Sequence, residues 1–146
     1  MTSTYLFSRK HFSLRMAAVV LGLALSLSAS AQRVQDSDYR TCAYIQKDGR
    51  IQNQDYRTIF YIKKDGRVTD SSYRTVAYMK EDGRVTDGSY RTLGYIKSDG
   101  TVKDGSYRIL GYVKQNGRVL DRNYRTIGYT NNVSQTAAAL YFFFLR

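Results

Sequence analysis

The stretch Tyr90-Arg91-Thr92-Leu93-Gly94-Tyr95-Ile96-Lys97-Ser98-Asp99-Gly100-Thr101-Val102-Lys103-Asp104 decides how this chain folds. Two runs rich in Thr, Tyr, Ile and Val flank an Asp-Gly pair, the strongest short-range cue for a β-hairpin. The unit is too short for a strand and a helix. A two-residue Asp-Gly loop would pair Lys97 with Val102 and mix charge with apolar surface on both faces. A three-residue loop, Ser98-Asp99-Gly100 with the glycine left-handed, pairs Ile96 with Val102 and leaves one clean face. Alternation then puts Tyr90, Thr92, Gly94, Ile96, Val102 and Asp104 on the face to be buried. Arg91, Leu93, Tyr95, Lys97 and Thr101 fall on the other, where Leu93 and Tyr95 call for a second packing layer.

The hairpin recurs. Tyr-Arg stands at Tyr39-Arg40, Tyr56-Arg57, Tyr73-Arg74, Tyr90-Arg91, Tyr107-Arg108 and Tyr124-Arg125, in steps of 17 residues. A second Tyr follows five residues later each time, at Tyr44, Tyr61, Tyr78, Tyr95, Tyr112 and Tyr129. Turn pairs fall at Asp48-Gly49, Asp65-Gly66, Asp82-Gly83, Asp99-Gly100 and Asn116-Gly117, each followed by an aliphatic residue: Ile51, Val68, Val85, Val102 and Val119. One hairpin cannot stay folded alone, so the units must share a core. The column of Ala43, Ala77, Gly94, Gly111 and Gly128 is small except at Phe60, which marks it as the one nearest the axis. Arg33-Val34-Gln35-Asp36 reads as a second strand lacking its first, and residues 124–130 as a first strand lacking its second. Joining them closes the ring and removes free sheet edges. The fold class expected is all-β: a closed radial or barrel-like array of antiparallel hairpins.

Outward from the repeat, the chain begins with Arg9, Lys10 and Arg15, an apolar run over residues 16–27, and Ser28-Ala29-Ser30-Ala31. That order reads as a secretory signal cut between Ala31 and Gln32. A membrane span would need roughly 20 apolar residues. The organisation expected is a signal peptide over 1–31, a hairpin-repeat domain over 32–133 and an apolar tail over 134–146, with the product periplasmic or secreted. In the tail, an Ala run suits a helix, and the continuous apolar stretch 140–145 should fold back to plug or cap the assembly; docking on a membrane or partner is the rival.

The recurring Tyr-Arg-Thr-x-Gly-Tyr-Ile-Lys-x-Asp-Gly-x-Val-x-Asp pattern over residues 33–130, with the alanine-then-aromatic ending over 137–144, resembles the bacterial beta-flower proteins of four-fold and five-fold form. The resemblance implies a small exported structure whose hairpins radiate as petals, and it transfers no functional residue. Five full hairpins and one split unit leave five-fold and six-fold closure both open.

Composition narrows the chemistry. The single His, His11, leaves with the signal, and Cys42 is the only Cys, so His-based metal sites, Ser-His-Asp and Cys-His arrangements and an internal disulfide are excluded from the mature chain. Cys42 replaces an aliphatic residue of its column and is expected to be a small buried hydrophobe. Asp48, Asp65, Asp82 and Asp99 precede glycine in turns, while Asp36, Asp70, Asp87, Asp104 and Asp121 suit Asx-type turns. A calcium ring is the weaker alternative. A repeated acidic column offers no distinctive carboxylate pair for glycoside hydrolysis. No cofactor is expected.

The formal net charge of +11 becomes +8 once Arg9, Lys10 and Arg15 are removed. It suits an anionic polysaccharide or an acidic envelope protein, and export counts against nucleic acid. A candidate ligand-binding face combines Arg40, Arg57, Arg74, Arg91, Arg108 and Arg125 with Tyr44, Tyr61, Tyr78, Tyr95, Tyr112 and Tyr129. The competing reading is architectural: each Arg pairs with an Asp of the next unit and lies along a Tyr ring. The function expected is a non-catalytic structural or binding module of the cell envelope, with a polysaccharide-directed periplasmic enzyme as the alternative.

Overall fold

The computed structural model describes residues 32–146; the secretory signal read over 1–31, including Ala31 on one side of the cleavage bond, lies outside the described residues. The repeat becomes twelve short strands: β1 (Arg33–Asp36), β2 (Thr41–Ile45), β3 (Arg50–Gln52), β4 (Thr58–Ile62), β5 (Arg67–Asp70), β6 (Thr75–Met79), β7 (Arg84–Asp87), β8 (Thr92–Ile96), β9 (Thr101–Asp104), β10 (Ile109–Val113), β11 (Arg118–Asp121) and β12 (Thr126–Asn131). Each pairs antiparallel with its neighbours in sequence, and β1 pairs with β12 to close a barrel. The two half-units meet as their sequences demand, with Val34 opposite Thr130 and Gln35 opposite Tyr129. The ring therefore holds six hairpin equivalents, five continuous and one assembled from the two ends of the repeat.

The expected Asp-Gly turn is present. Ile96 faces Val102, Lys97 N–H donates to the Thr101 carbonyl at 2.9 Å, and Gly100 N–H donates to the Lys97 carbonyl at 3.0 Å. Gly100 has φ +86°, and a Cβ there would strike the Val113 carbonyl of the next hairpin. Glycine is thus required twice, by conformation and by close approach.

A second device was not legible. At every junction between repeats the register steps by one residue: Val85 faces Gly94, yet Thr86 faces Thr92. Leu93 is left over as a bulge, and the same step occurs between β1 and β2 and between β9 and β10. A bulge bends its strand and sharpens the local twist. Six of them let strands of only 3–6 residues close into a ring. Bulged Ile59, Val76, Leu110 and Ile127 are half-buried and pack against the core. Cys42, at the same position, is half-buried, with its thiol donating to the Arg40 carbonyl at 3.5 Å.

The barrel interior is lined by one fully buried aliphatic column, Val34, Ile51, Val68, Val85, Val102 and Val119. Twelve strands about 4.8 Å apart give a circumference near 58 Å, hence a radius of about 9 Å, too wide for wall side chains to fill alone. The tail fills it. Asn132, at φ +57°, follows the end of β12, where the chain leaves the wall. The Ser134 hydroxyl accepts from Ala137 N–H at 3.2 Å to cap helix α1 (Gln135–Leu140). A π-helical turn, Tyr141–Leu145, follows. Ala138, Ala139, Leu140, Tyr141 and Phe142 are buried in one cluster with the aliphatic column. Eleven helical residues span about 16 Å, close to the length of a four- or five-residue strand, so the tail runs the height of the wall.

The small column faces this plug. A Cβ on Gly128 would lie 2.5 Å from the Phe142 ring, one on Gly111 2.6 Å from Phe143, and one on Gly94 2.9 Å from Phe144. Three consecutive Phe rings thus meet three successive repeats, two strands apart, about 60° apart around a twelve-strand ring. An α-helix turns about 100° per residue; the wider π winding turns less and brings consecutive rings nearer the spacing of the wall. Phe60, the exception in the small column, stands on β4, diametrically opposite β10 in the strand order. Its bulk fills the side away from the three rings.

Replacing Phe143 with Ala should lower unfolding stability by about 3 kcal/mol, and Gly111→Val should destabilise by overpacking against the Leu120 carbonyl and the same ring. Urea denaturation of both variants checks this; wild-type midpoints would exclude the plug.

Candidate functional site

The Tyr-Arg segments form a second set of three-residue turns, at the opposite end of the barrel from the Asp-Gly turns. In one, Asp104 N–H donates to the Arg108 carbonyl at 2.8 Å and Tyr107 N–H donates to the Asp104 carbonyl at 3.0 Å. Tyr107 occupies the position that Gly100 holds in the other turn, with φ +63°. Tyr39, Tyr56, Tyr73, Tyr90 and Tyr124 do the same, with φ between 60° and 64°. A left-handed non-glycine residue costs about 1–2 kcal/mol. The Asp side chain supports the turn: Asp104 Oδ1 accepts from Ser106 N–H at 2.8 Å and from Arg108 N–H at 3.0 Å. Asp36, Asp70, Asp87 and Asp121 repeat this Asx geometry, and Asn53 replaces it in the remaining unit.

The predicted Arg column lies on these turns, fully exposed. Arg74, Arg91 and Arg108 donate through Nε to Asp70, Asp87 and Asp104 at 2.9, 2.8 and 2.8 Å. Each Asp lies four residues earlier, in the preceding unit rather than the next. The three carboxyls are held below the usual carboxylate range, chiefly by the backbone N–H of the Arg and also by its guanidinium.

Alternation placed Tyr90 with the buried face, and the structure corrects this: Tyr90 is 63% exposed. The left-handed turn swings its ring outward onto Tyr78, with centroids 4.7 Å apart. The predicted Tyr column thus meets the other Tyr column rather than the Arg column. Tyr44 stacks on Tyr56, Tyr61 on Tyr73, Tyr95 on Tyr107 and Tyr112 on Tyr124, and Tyr129 stacks on Tyr39 across the closure at 4.3 Å. Hydroxyl–hydroxyl bonds of 3.1–3.4 Å join Tyr44 to Tyr56, Tyr61 to Tyr73, Tyr78 to Tyr90 and Tyr112 to Tyr124, and Tyr39–Tyr129 and Tyr95–Tyr107 are bonded likewise. Hydrogen bonding to its partner raises one phenol of each pair above the ordinary tyrosine value.

These stacks are the expected second layer. Thr69 and Thr86, directly across from Tyr61 and Tyr78, are 2% exposed. Their hydroxyls are buried without a hydrogen-bond partner. Leu120 holds the same position in another unit and is equally buried. Lys63, Lys80 and Lys114 lie with Nζ 5.0–5.4 Å above Tyr61, Tyr78 and Tyr112.

The two ends of the barrel differ in charge. On the Tyr-Arg turns, Arg40, Arg57, Arg74, Arg91, Arg108, Arg122 and Arg125 are matched by Asp36, Asp38, Asp55, Asp70, Asp87, Asp104 and Asp121, with Lys103, beside Asp104, and Arg146, near Cys42, in excess. Around the Asp-Gly turns, Arg33, Lys47, Arg50, Lys63, Lys64, Arg67, Lys80, Arg84, Lys97, Lys114 and Arg118 face only Asp48, Asp65, Glu81, Asp82 and Asp99, a surplus of +6. Those Asp side chains also serve their turns, as when Asp65 Oδ1 accepts from Arg67 N–H at 3.0 Å. Sequence reasoning followed the most regular cations, the Arg column, and passed over this rim; tallying charge separately for the two turn types would have found it. Three open recesses lie along the rim, between the turns and the entering tail. Among the described residues, no three His, Cys, Asp or Glu side chains gather to hold a metal ion, and no helix is long and apolar enough to cross a membrane.

A closed antiparallel barrel of hairpin repeats, walled by tyrosine stacks and plugged by its own tail, is the class this fold defines. Residues 31–146 match the family described as 5-fold beta-flower protein. The chain belongs to that family, with six hairpin equivalents in its ring. No curated protein and no solved structure matches it.

Thr86→Val should raise stability by about 1 kcal/mol, because it removes a buried hydroxyl that has lost its water; thermal unfolding of the variant measures it. Because Asp70, Asp87 and Asp104 have depressed folded-state values, their stabilisation is full above about pH 4 and declines as the pH falls through their folded values. The unfolding midpoint should therefore drop in acid, and Asp87→Asn should flatten that drop. In the alkaline direction the raised phenols stabilise below about pH 10 and cease to do so above it. Absorbance at the tyrosinate band should rise in two phases, the later one abolished by unfolding.

Proposed function

We propose that this chain is an exported, non-catalytic module of the cell envelope that acts by surface contact with an anionic partner. The observation that carries the reading is how completely the architecture occupies its reactive groups. The interior is filled by residues of the tail, the carboxylates of both Asp columns cap turns, and the tyrosines stack on one another. What the fold leaves over is surface charge on one rim. The rival reading, a polysaccharide-directed enzyme, needs two carboxylates held apart in different environments; here the Asp of each column are engaged in capping their own turns. The strand lengths of 3–6 residues also fall short of the 9–11 residues of a membrane-spanning strand.

Export is supported by the basic, apolar and Ala-x-Ala succession over residues 9–31. Expression of the full chain in a bacterium, followed by fractionation and intact mass of the recovered protein, tests it. The expected product begins at Gln32, lies outside the cytoplasm and is released from envelopes by salt. Cytosolic protein retaining residues 1–31 would overturn the proposal.

A further inference from the structure

We propose that the Asp-Gly rim is a binding surface for a linear acidic polysaccharide carrying about one carboxylate per disaccharide. This deepens the preceding reading by naming the surface and the chemical class of its partner. Three observations carry it.

The first is the segregation of charge. Of the mature chain's excess of +8, the Asp-Gly end carries +6, while on the opposite turns each Arg is matched by an Asp and only Lys103 and Arg146 are left over. Architecture alone accounts for a balanced rim, since Asp and Arg there hold each turn together. On the Asp-Gly rim Arg50 pairs with Asp48 and Arg118 donates to Thr126, whereas Lys64, Arg67 and Arg84 are exposed beside turns already closed by their own Asp and Gly.

The second is spacing. One repeat occupies two strands, about 10 Å of circumference. Cations thus recur around the rim at about the length of a disaccharide. A polymer with one carboxylate per disaccharide, curving around the rim, matches successive charges to successive repeats. Duplex DNA presents charge far more densely, one per about 1.7 Å of axis.

The third is the floor between the charges. The recess of about 430 Å³ beside the entering tail is lined by Ile45, Ile62 and Val133 together with Lys47, Lys64 and Asp48, and Lys63 borders it with its ammonium over the Tyr61 ring. An apolar floor with ammonium groups at its margin complements a uronic acid ring, which has an apolar C–H face and a carboxylate at its edge. Phosphate polymers offer no such face.

The experiment uses the protein as the cell processes it, with hyaluronan, polyglutamate, duplex DNA and neutral dextran as probes at two salt concentrations. The triple variant Lys64→Gln, Arg67→Gln, Arg84→Gln is compared with Arg57→Gln, Arg122→Gln, Arg125→Gln, which removes equal charge from the other end. Circular dichroism and unfolding midpoints establish that both variants are folded. Hyaluronan should bind and weaken with salt; the rim variant should lose about tenfold in affinity, with a shallower salt dependence, and the control less than about twofold. Equal losses in the two variants would place binding elsewhere. Tighter binding of polyglutamate or DNA than of hyaluronan would identify the wrong class of partner, and no binding of hyaluronan at low salt would end the proposal. These outcomes are read on purified protein, so failure of export would defeat the envelope assignment and leave the rim result standing.

Discussion

The fold depends on filling a hole. A small barrel packs its own lumen with wall side chains, but a twelve-strand ring is wider than its valines can span. An unfilled lumen would forfeit dispersion contacts along the whole aliphatic column. The chain meets this constraint with its last residues, and the rest of the wall is shaped around them. At Gly94, Gly111 and Gly128 a side chain would meet both the neighbouring strand's carbonyl and the ring of Phe144, Phe143 or Phe142. Ala43 and Ala77 occupy the same column, and Phe60 thickens the wall on the far side. The repeat is therefore less uniform than its turns suggest. Its departures from consensus describe the shape of the object inside.

The tyrosine turns show a second trade. Six Tyr residues sit at φ above +60° or equal to it, where glycine would be free of strain. Glycine there would relieve about 1–2 kcal/mol per turn but would remove a ring whose stacking is worth about 0.5–1.5 kcal/mol beyond its buried area. Area settles the balance, because each outer ring also shields the residue across from its partner, as at Thr86 and Leu120. The same ring ties consecutive repeats together on the outside, just as the valines do inside. Each unit is thus clamped on both faces, and the pair Tyr39–Tyr129 extends the clamp across the closure.

What was legible in the sequence follows from these two points. The Asp-Gly hairpin, its three-residue loop, the Ile96–Val102 pairing and the closure of Val34's strand on β12 all follow from local chemistry and period, and they are visible in one unit or at its ends. The bulge at Leu93 was not, because an apolar residue on an alternating strand looks the same whether it is paired or extra. The reversal of Tyr90 was hidden for a related reason: alternation assumes extended backbone, and a left-handed Tyr is betrayed by no residue preference. The position of the small column was readable, yet the rings it meets lie in the tail, 14 residues from Gly128 and 50 from Gly94.

For the candidate surface, regularity misled. The Arg column is the most conspicuous periodic cation, and Arg74, Arg91 and Arg108 are held by the Asp four residues before them. On the opposite rim Lys64 repeats only loosely, and Arg67 and Arg84 stand exposed in a column whose Arg50 and Arg118 are tied to Asp48 and Thr126. In a protein built from copies, strict repetition marks what every unit needs in order to fold, while charge that repeats loosely and remains uncompensated is free to be selected by something outside. That distinction moves the functional reading from one end of the barrel to the other.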